Sequence, residues 1–212
     1  MCALQPTRRG ARVSPYEHDF RHMFAGLEKQ IAQTDNPRHR AILKNYRLHA
    51  LLEVSGRYEE LLAPSMTVEQ PHYRIHEGGK SLILDGMAEV VGFYRSLIEA
   101  NAQVMWVGRQ DIAVNDHGFS GELEFFEFVP GAMLGETTMF GSMRAGDDPG
   151  DVYLAKRTLA FYWPYDERCR LIGEHVYEDS ASREFTKVDP ADVISPARAA
   201  ELLAPEIEKV LP

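Results

Sequence analysis

The stretch Gly173-Glu174-His175-Val176-Tyr177-Glu178-Asp179 has the alternation of a strand, so its side chains divide between two faces. Glu174, Val176 and Glu178 share one face; His175, Tyr177 and Asp179 share the other. A carboxyl at Glu174 facing an apolar pocket would have its charged form disfavoured, which moves it toward the working range of a general acid or base. Its alternative role is a salt bridge to Arg157 or Arg109 across a sheet. Arg157 shares a strand face with Leu159, Phe161 and Trp163, and so either binds an oxyanion or carboxylate or serves as Glu174's structural partner. Leu123, Phe125 and Glu127, with Gly121, give a mostly apolar wall with a carboxylate toward one end, which suits aromatic or terpenoid ligands.

A second constellation lies on a helix. His49 and Glu53 are four residues apart, a spacing that lets the carboxylate orient the imidazole, and Tyr46 stands one turn earlier. Together they are either a donor, base and orienter or one edge of a surface helix. His72 follows Pro71 at an extended segment, where His72, Arg74 and His76 share a face. In that geometry His72 and His76 lie roughly 13 Å apart at about 3.3 Å per residue, too far to share a metal ion. No dinucleotide fingerprint, phosphate loop or nucleophile elbow occurs in the sequence. These residues point to proton transfer without metal or cofactor: a base, an acid for the leaving group, and donors for a developing oxyanion.

Composition narrows the classes. With 212 residues and 44% hydrophobic content the chain can bury a proper core, and a net charge of -9 argues against nucleic acid as a partner. Cys2 and Cys169 are placed for neither a disulfide framework nor a zinc site. No apolar run approaches the ~20 residues that span a bilayer, so no membrane partner is expected, and a cytoplasmic location is.

The elements that must position these residues come in a definite order. Ser14-Pro15 starts a helix whose stripe runs from Tyr16 to Ile31, and Asn36-Pro37 starts a second that stops at Gly56. A short helix spans Tyr58 to Ala63, and Asp85-Gly86 opens another through Tyr94 and Ile98. Gly78-Gly79 is a turn. Strands are predicted over Gln103 to Val114, Gly118 to Val129, Val152 to Trp163 and Arg170 to Glu178, followed after Asp179 by a polar connector. Pro130 to Asp151, with Met133, Met139, Phe140 and Met143, is a flexible tip, a mobile cover or a further strand. Ser195-Pro196 caps a terminal helix for packing or oligomer contact.

Thr67-Val68-Glu69-Gln70-Pro71, the segment from Gly86 to Phe93-Tyr94, the Asn115 to Phe128 hairpin strand and the closing Gly173 to Asp179 resemble the nuclear transport factor two-like superfamily, nearest to its SnoaL-like and ketosteroid isomerase-like enzymes. The resemblance runs over residues 37 to 180. It implies an α+β fold, a cone-shaped curved antiparallel sheet wrapped around helices as a barrel, with a pocket inside and a homodimer as assembly. It also marks departures. The isomerases' catalytic aspartate before the proline is Gln70 here, their protonated aspartate falls near Leu159, and their oxyanion-hole tyrosine matches Tyr46 or, with a gap, His49. The cyclases' aspartate at the end of the last strand falls close to Asp179.

The expectation is therefore a cofactor-independent lyase or isomerase acting on a hydrophobic, aromatic or phenolic molecule, the alternative being a non-catalytic binding or interaction domain. Tyr46, His49, Glu174, His72 and Arg157 are the candidate catalytic residues. Phe125, Leu123, Leu159, Phe161, Tyr94, Trp106 and Glu127 are the candidate pocket lining. Residues 1–35 are expected as an N-terminal extension, 36–180 as the α+β barrel and 181–212 as a C-terminal tail and helix. Phe126, Phe128, Tyr162 and Tyr177 on the outward sheet face are the expected homodimer contact.

Overall fold

Asn36 and Pro37 begin the helix that organises the molecule. Asn36 accepts from the backbone N–H groups of Arg38 (2.9 Å) and His39 (3.3 Å), and Pro37 supplies a preset first helical residue. The computed structural model describes residues 12–134 and 148–210. In chain order the helices are α1 (Glu17–His22), α2 (Ala25–Gln33), α3 (Pro37–Val54), α4 (Tyr58–Leu61), α5 (Met87–Glu99) and α6 (Pro196–Glu208). The strands are β1 (His72–Glu77), β2 (Lys80–Asp85), β3 (Met105–Asn115), β4 (Gly118–Pro130), β5 (Val152–Pro164) and β6 (His175–Val188). Met139, Phe140 and Met143 lie outside the described residues; Met133 closes a short 3-10 turn after β4.

Among the described residues the strands form one sheet in the order β2-β1-β6-β5-β4-β3. Every pairing is antiparallel except β1 with β6, where Arg74, Ile75 and His76 run parallel to His175, Val176 and Tyr177. This overturns the cone-shaped barrel. Closure needs hydrogen bonds between the two outermost strands, and β2 and β3 stand at opposite edges of the order with no pairing between them among the described residues. The chain has an open α+β sheet packed against helices. Gly78 and Gly79, at φ +61 and +71, make the tight β1–β2 turn as expected.

Two other expectations change. The first amphipathic stripe belongs to two helices, interrupted at Met23 and Phe24. The Met23 carbonyl, which a continuous helix would bond internally, accepts instead from the Gln110 side chain at 3.0 Å, and the break lets Phe20 pack on Trp106 and Phe24 on Tyr46. The last strand begins at His175 and runs to Val188 through the segment read as a polar connector. Its backbone pairs with β5 from Val152 to Lys156, and Phe185 packs on Val129, Tyr153 and Ala155, while Glu184, Thr186 and Lys187 stay exposed.

The helices cover the sheet as one core. Ala199, Leu202, Leu203 and Ile207 of α6 are buried in the same cluster as α3 and the sheet. Arg47 of α3 ties α2 to α6 through Glu28 (2.5 Å) and Glu206 (3.2 Å). On the outer side, α1 shields part of the sheet: Phe126 stacks on Trp106 at 5.5 Å, and Phe128 meets Tyr16 at 5.5 Å.

Candidate active site

A cavity of about 440 Å³ lies between the helices and the inner sheet face. Leu123, Phe125 and Glu127 of β4 line it, as do Arg157, Leu159 and Phe161 of β5, Trp106 of β3, and Glu174. The alternation that selected these positions in the sequence held because β4 and β5 pair residue for residue, Leu123 with Leu159 and Phe125 with Arg157. Tyr46 and Glu53 border the cavity from α3.

Glu174 is fixed by its backbone before its side chain is considered. Its carbonyl accepts from Arg74 N–H at 2.7 Å, and a Cβ at the preceding Gly173 would sit 1.8 Å from the His72 carbonyl oxygen. Only glycine permits that approach of the incoming chain to β1. The carboxyl then meets three partners from different elements. Tyr94 of α5 donates its hydroxyl to Glu174 Oε1 at 2.8 Å, and His49 Nε2 of α3 stands 2.9 Å from the same oxygen. Tyr73 of β1 extends the network, its hydroxyl 3.3 Å from that of Tyr94. Neither Arg157 nor Arg109 pairs with Glu174; Arg109 lies outside on Asp111 and Glu122.

His49 is 0% exposed, so the surface-edge alternative for this helix is overturned. The ring packs edge-on to Trp163 at 4.9 Å and reaches the cavity only through Glu174. Glu53 Oε2 is 4.0 Å from His49 Nε2. Burial, and then the charges of Glu174 and Glu77, push the Glu53 carboxyl well above the usual carboxylate range, which favours its protonated form. Burial likewise raises the phenols of Tyr73 and Tyr94, with Glu174's charge adding to it, and both remain donors. The result is a carboxyl oxygen held by a phenol and an imidazole, beside a second carboxyl whose burial favours its protonated form.

Tyr46 separates from His49. Its hydroxyl donates to Gln110 Oε1 at 2.9 Å, and its ring is enclosed by Phe24, Phe119, Phe161 and Trp163. One turn of helix brings both residues inward, but their polar atoms serve different networks. His72 is placed elsewhere. It bonds Asp85 at 2.5 Å on the outer face, because the β1 side chains that enter the core and cavity are Tyr73, Ile75 and Glu77. The sequence reading grouped His72, Arg74 and His76 correctly but favoured the wrong side of the strand; the apolar residues Tyr73 and Ile75 mark the inward one. Tyr94, expected as lining, stands behind Glu174. Among the described residues no group of three or more His, Cys, Asp or Glu is arranged to hold a metal ion.

Arg157 anchors a second buried cluster at another part of the wall. It pairs with Glu127, with Glu77 at 3.0 Å and with Glu178 at 3.9 Å, and its guanidinium lies 5.1 Å from the centre of the Phe125 ring. Glu178 also receives Arg183 at 2.5 Å and the Gly78 N–H at 2.7 Å. Burial pushes Glu127 up to about 7; Arg157 opposes the rise and Glu77 adds to it. Glu77 and Glu178 carried no role in the sequence reading, although strand alternation gives them the inward face.

No protein-family model matches the chain, and no curated protein matches it in sequence. Its three-dimensional likenesses are clearer. A SnoaL-like protein from Shewanella putrefaciens CN-32 superposes with a TM-score of 0.51 at 11% identity, over 74% of this chain and 89% of that one. An NTF2-like protein from Anabaena variabilis ATCC 29413 gives a TM-score of 0.49 at 11% identity, over 70% and 96%. The chain has the NTF2-like, SnoaL-like fold. No helix among the described residues is long and apolar enough to cross a membrane.

Proposed function

We propose that this protein is a cofactor-independent enzyme that eliminates, dehydrates or isomerises a hydrophobic, aromatic small molecule bound in the cavity. The observation that supports this most is the Glu174 network: a carboxyl at the cavity wall, one oxygen fixed by Tyr94 and buried His49, with Glu53, whose burial favours its protonated form, beside them. Glu174 takes a proton in this reading, and Glu53, from its favoured protonated form, gives one.

In an elimination, Glu174 removes a proton from carbon next to a carbonyl or phenolic ring. The C–H electron pair becomes the new double bond, and the leaving group departs with the proton of Glu53. Transfer of a proton from Glu174 back to Glu53, directly or through solvent, restores the starting state. His49 and Tyr94 act through Glu174 as positioning residues, and Tyr73 positions Tyr94.

The test is turnover against a panel of phenolic and polyketide compounds, followed by Glu174→Gln. The amide keeps the shape of the side chain and loses its basicity, so turnover is expected to fall on the order of a hundredfold to ten-thousandfold. Unchanged turnover in this variant would sink the assignment, and the absence of turnover on any compound would favour a binding domain.

We infer a homodimer as the assembly, through the outer face around Tyr162 and Tyr177, which are 37% and 44% exposed. Phe126 and Phe128 leave that contact, since α1 and Trp106 already cover them.

A further inference from the structure

We propose that the Arg157 end of the cavity recognises an uncharged hydroxyl on the substrate, with Glu127 as its acceptor. The inference rests on the cavity being the substrate site, and it names a class: an elongated apolar molecule carrying a hydroxyl remote from the carbon that reacts at Glu174.

The geometry sets both the length and the polarity. Arg157, Glu127 and Glu77 all border the cavity, as does Glu174. Phe161 lies level with Val176, and Arg157 is four residues further along β5, about 13 Å of strand at ~3.3 Å per residue. Leu159 and Phe161 fill the interval on the inner face. A ligand that spans it needs an apolar body, and the polar groups at the two ends then meet different chemistry.

At the far end the guanidinium is already held by protein carboxylates, with 4% of its side chain exposed. A ligand carboxylate directed to Arg157 would be forced against Glu77, Glu127 and Glu178, and like charges at such distances repel strongly when buried. A hydroxyl meets no such barrier. Glu127 Oε1 is engaged by Arg157, and the Glu127 carboxyl borders the cavity, so a ligand O–H can donate to it. Burial and Glu77 raise Glu127 to about 7, so its strongest acceptor form is populated above that pH.

Biphenyl ligands test this. One carries a hydroxyl at each end, a second at one end only, and a third has a carboxylate in place of the second hydroxyl. Binding is measured by calorimetry and by quenching of Trp163, which lines the cavity. The dihydroxy ligand is expected to bind on the order of tenfold to a hundredfold more tightly than the monohydroxy one, as for one charge-assisted hydrogen bond, with the carboxylate weakest. The advantage should grow as pH rises through about 7.

Glu127→Gln should reduce the advantage about tenfold and remove its pH dependence, leaving monohydroxy binding in place. Should that variant fail to fold, Glu127→Asp, which keeps the charge and withdraws it by one methylene, should also weaken the preference. Equal binding of the two hydroxy ligands by the parent, a preference that survives in Glu127→Gln, or tightest binding of the carboxylate would each overturn the proposal. Glu174→Gln separates the two claims: it should cut turnover on the order of a hundredfold or more and leave the ligand preference intact.

Discussion

The cavity wall holds two buried polar clusters made from different kinds of charge. Around Glu174 the partners are two phenols, an imidazole and a carboxyl whose burial favours its protonated form, groups whose hydrogens can be shared or moved. Around Arg157 the cation is fixed, because a guanidinium does not give up its proton in a protein. The first cluster is suited to chemistry and the second to holding a shape and a ligand end. Substitutions in the first should therefore act on rate, and substitutions in the second on stability and specificity.

The sharpest separation should come from Arg157→Met. Methionine keeps much of the stem but leaves Glu77 and Glu127 buried without their cation, which typically costs 3–5 kcal/mol, roughly. Denaturant unfolding should show that loss, whereas Glu174→Gln should stay within about 1 kcal/mol of the parent. A variant with near-parent stability would mean that the Arg157 cluster is not a structural anchor.

Two tyrosines, Tyr94 inside the first cluster and Tyr46 outside it, provide a matched pair. Tyr94→Phe removes the donor to Glu174 and is expected to slow turnover about tenfold to a hundredfold. Tyr46→Phe removes a hydroxyl bonded to Gln110 and should change turnover no more than about threefold, well below the loss for a positioned acid/base group. Equal losses would show that both phenols serve the reaction and that the division between them is wrong.

A pH titration distinguishes the clusters through Glu127. Its carboxyl is raised from 4.5 to about 7, so its contribution to stability is fully present below pH 4.5 and is lost as pH rises through about 7. Melting temperatures of parent and Glu127→Gln, compared across that window, should show a steeper decline in the parent. Parallel curves would place the titration elsewhere. The smallest effect concerns the outer face: light scattering of the parent should give a dimer at micromolar concentration, and Tyr177→Ser should shift it toward monomer without changing the fold. A monomeric parent would end the homodimer proposal.

The helix starts at Asn36-Pro37 and Ser195-Pro196, the turn at Gly78-Gly79 and the alternation through β4 and β5 were all legible in the sequence. Each is set by a local rule of capping, turn geometry or strand period. That is why Leu123, Phe125, Glu127, Arg157, Leu159 and Phe161 could be assigned to one wall before the strands were placed. The polar length of β6 was not legible, since its pairing with β5 is made by backbone atoms and is independent of side-chain polarity. The open sheet was not legible either: strand period does not say whether the outermost strands meet.

The partners of the candidate residues belonged to tertiary structure. Nothing in spacing joins Glu174 to Tyr94 and His49, which are 80 and 125 residues away in sequence, because α5, α3 and the segment that leads into β6 meet only when the helices pack on the sheet. The same packing buried His49, turned Tyr46 toward Gln110, and left His72 outside with Asp85. By itself the sequence determined which residue types occupy each face, since that follows from backbone periodicity. Only the fold decided which faces enclose the cavity and which donors share an oxygen, because those depend on long-range packing that no local period encodes.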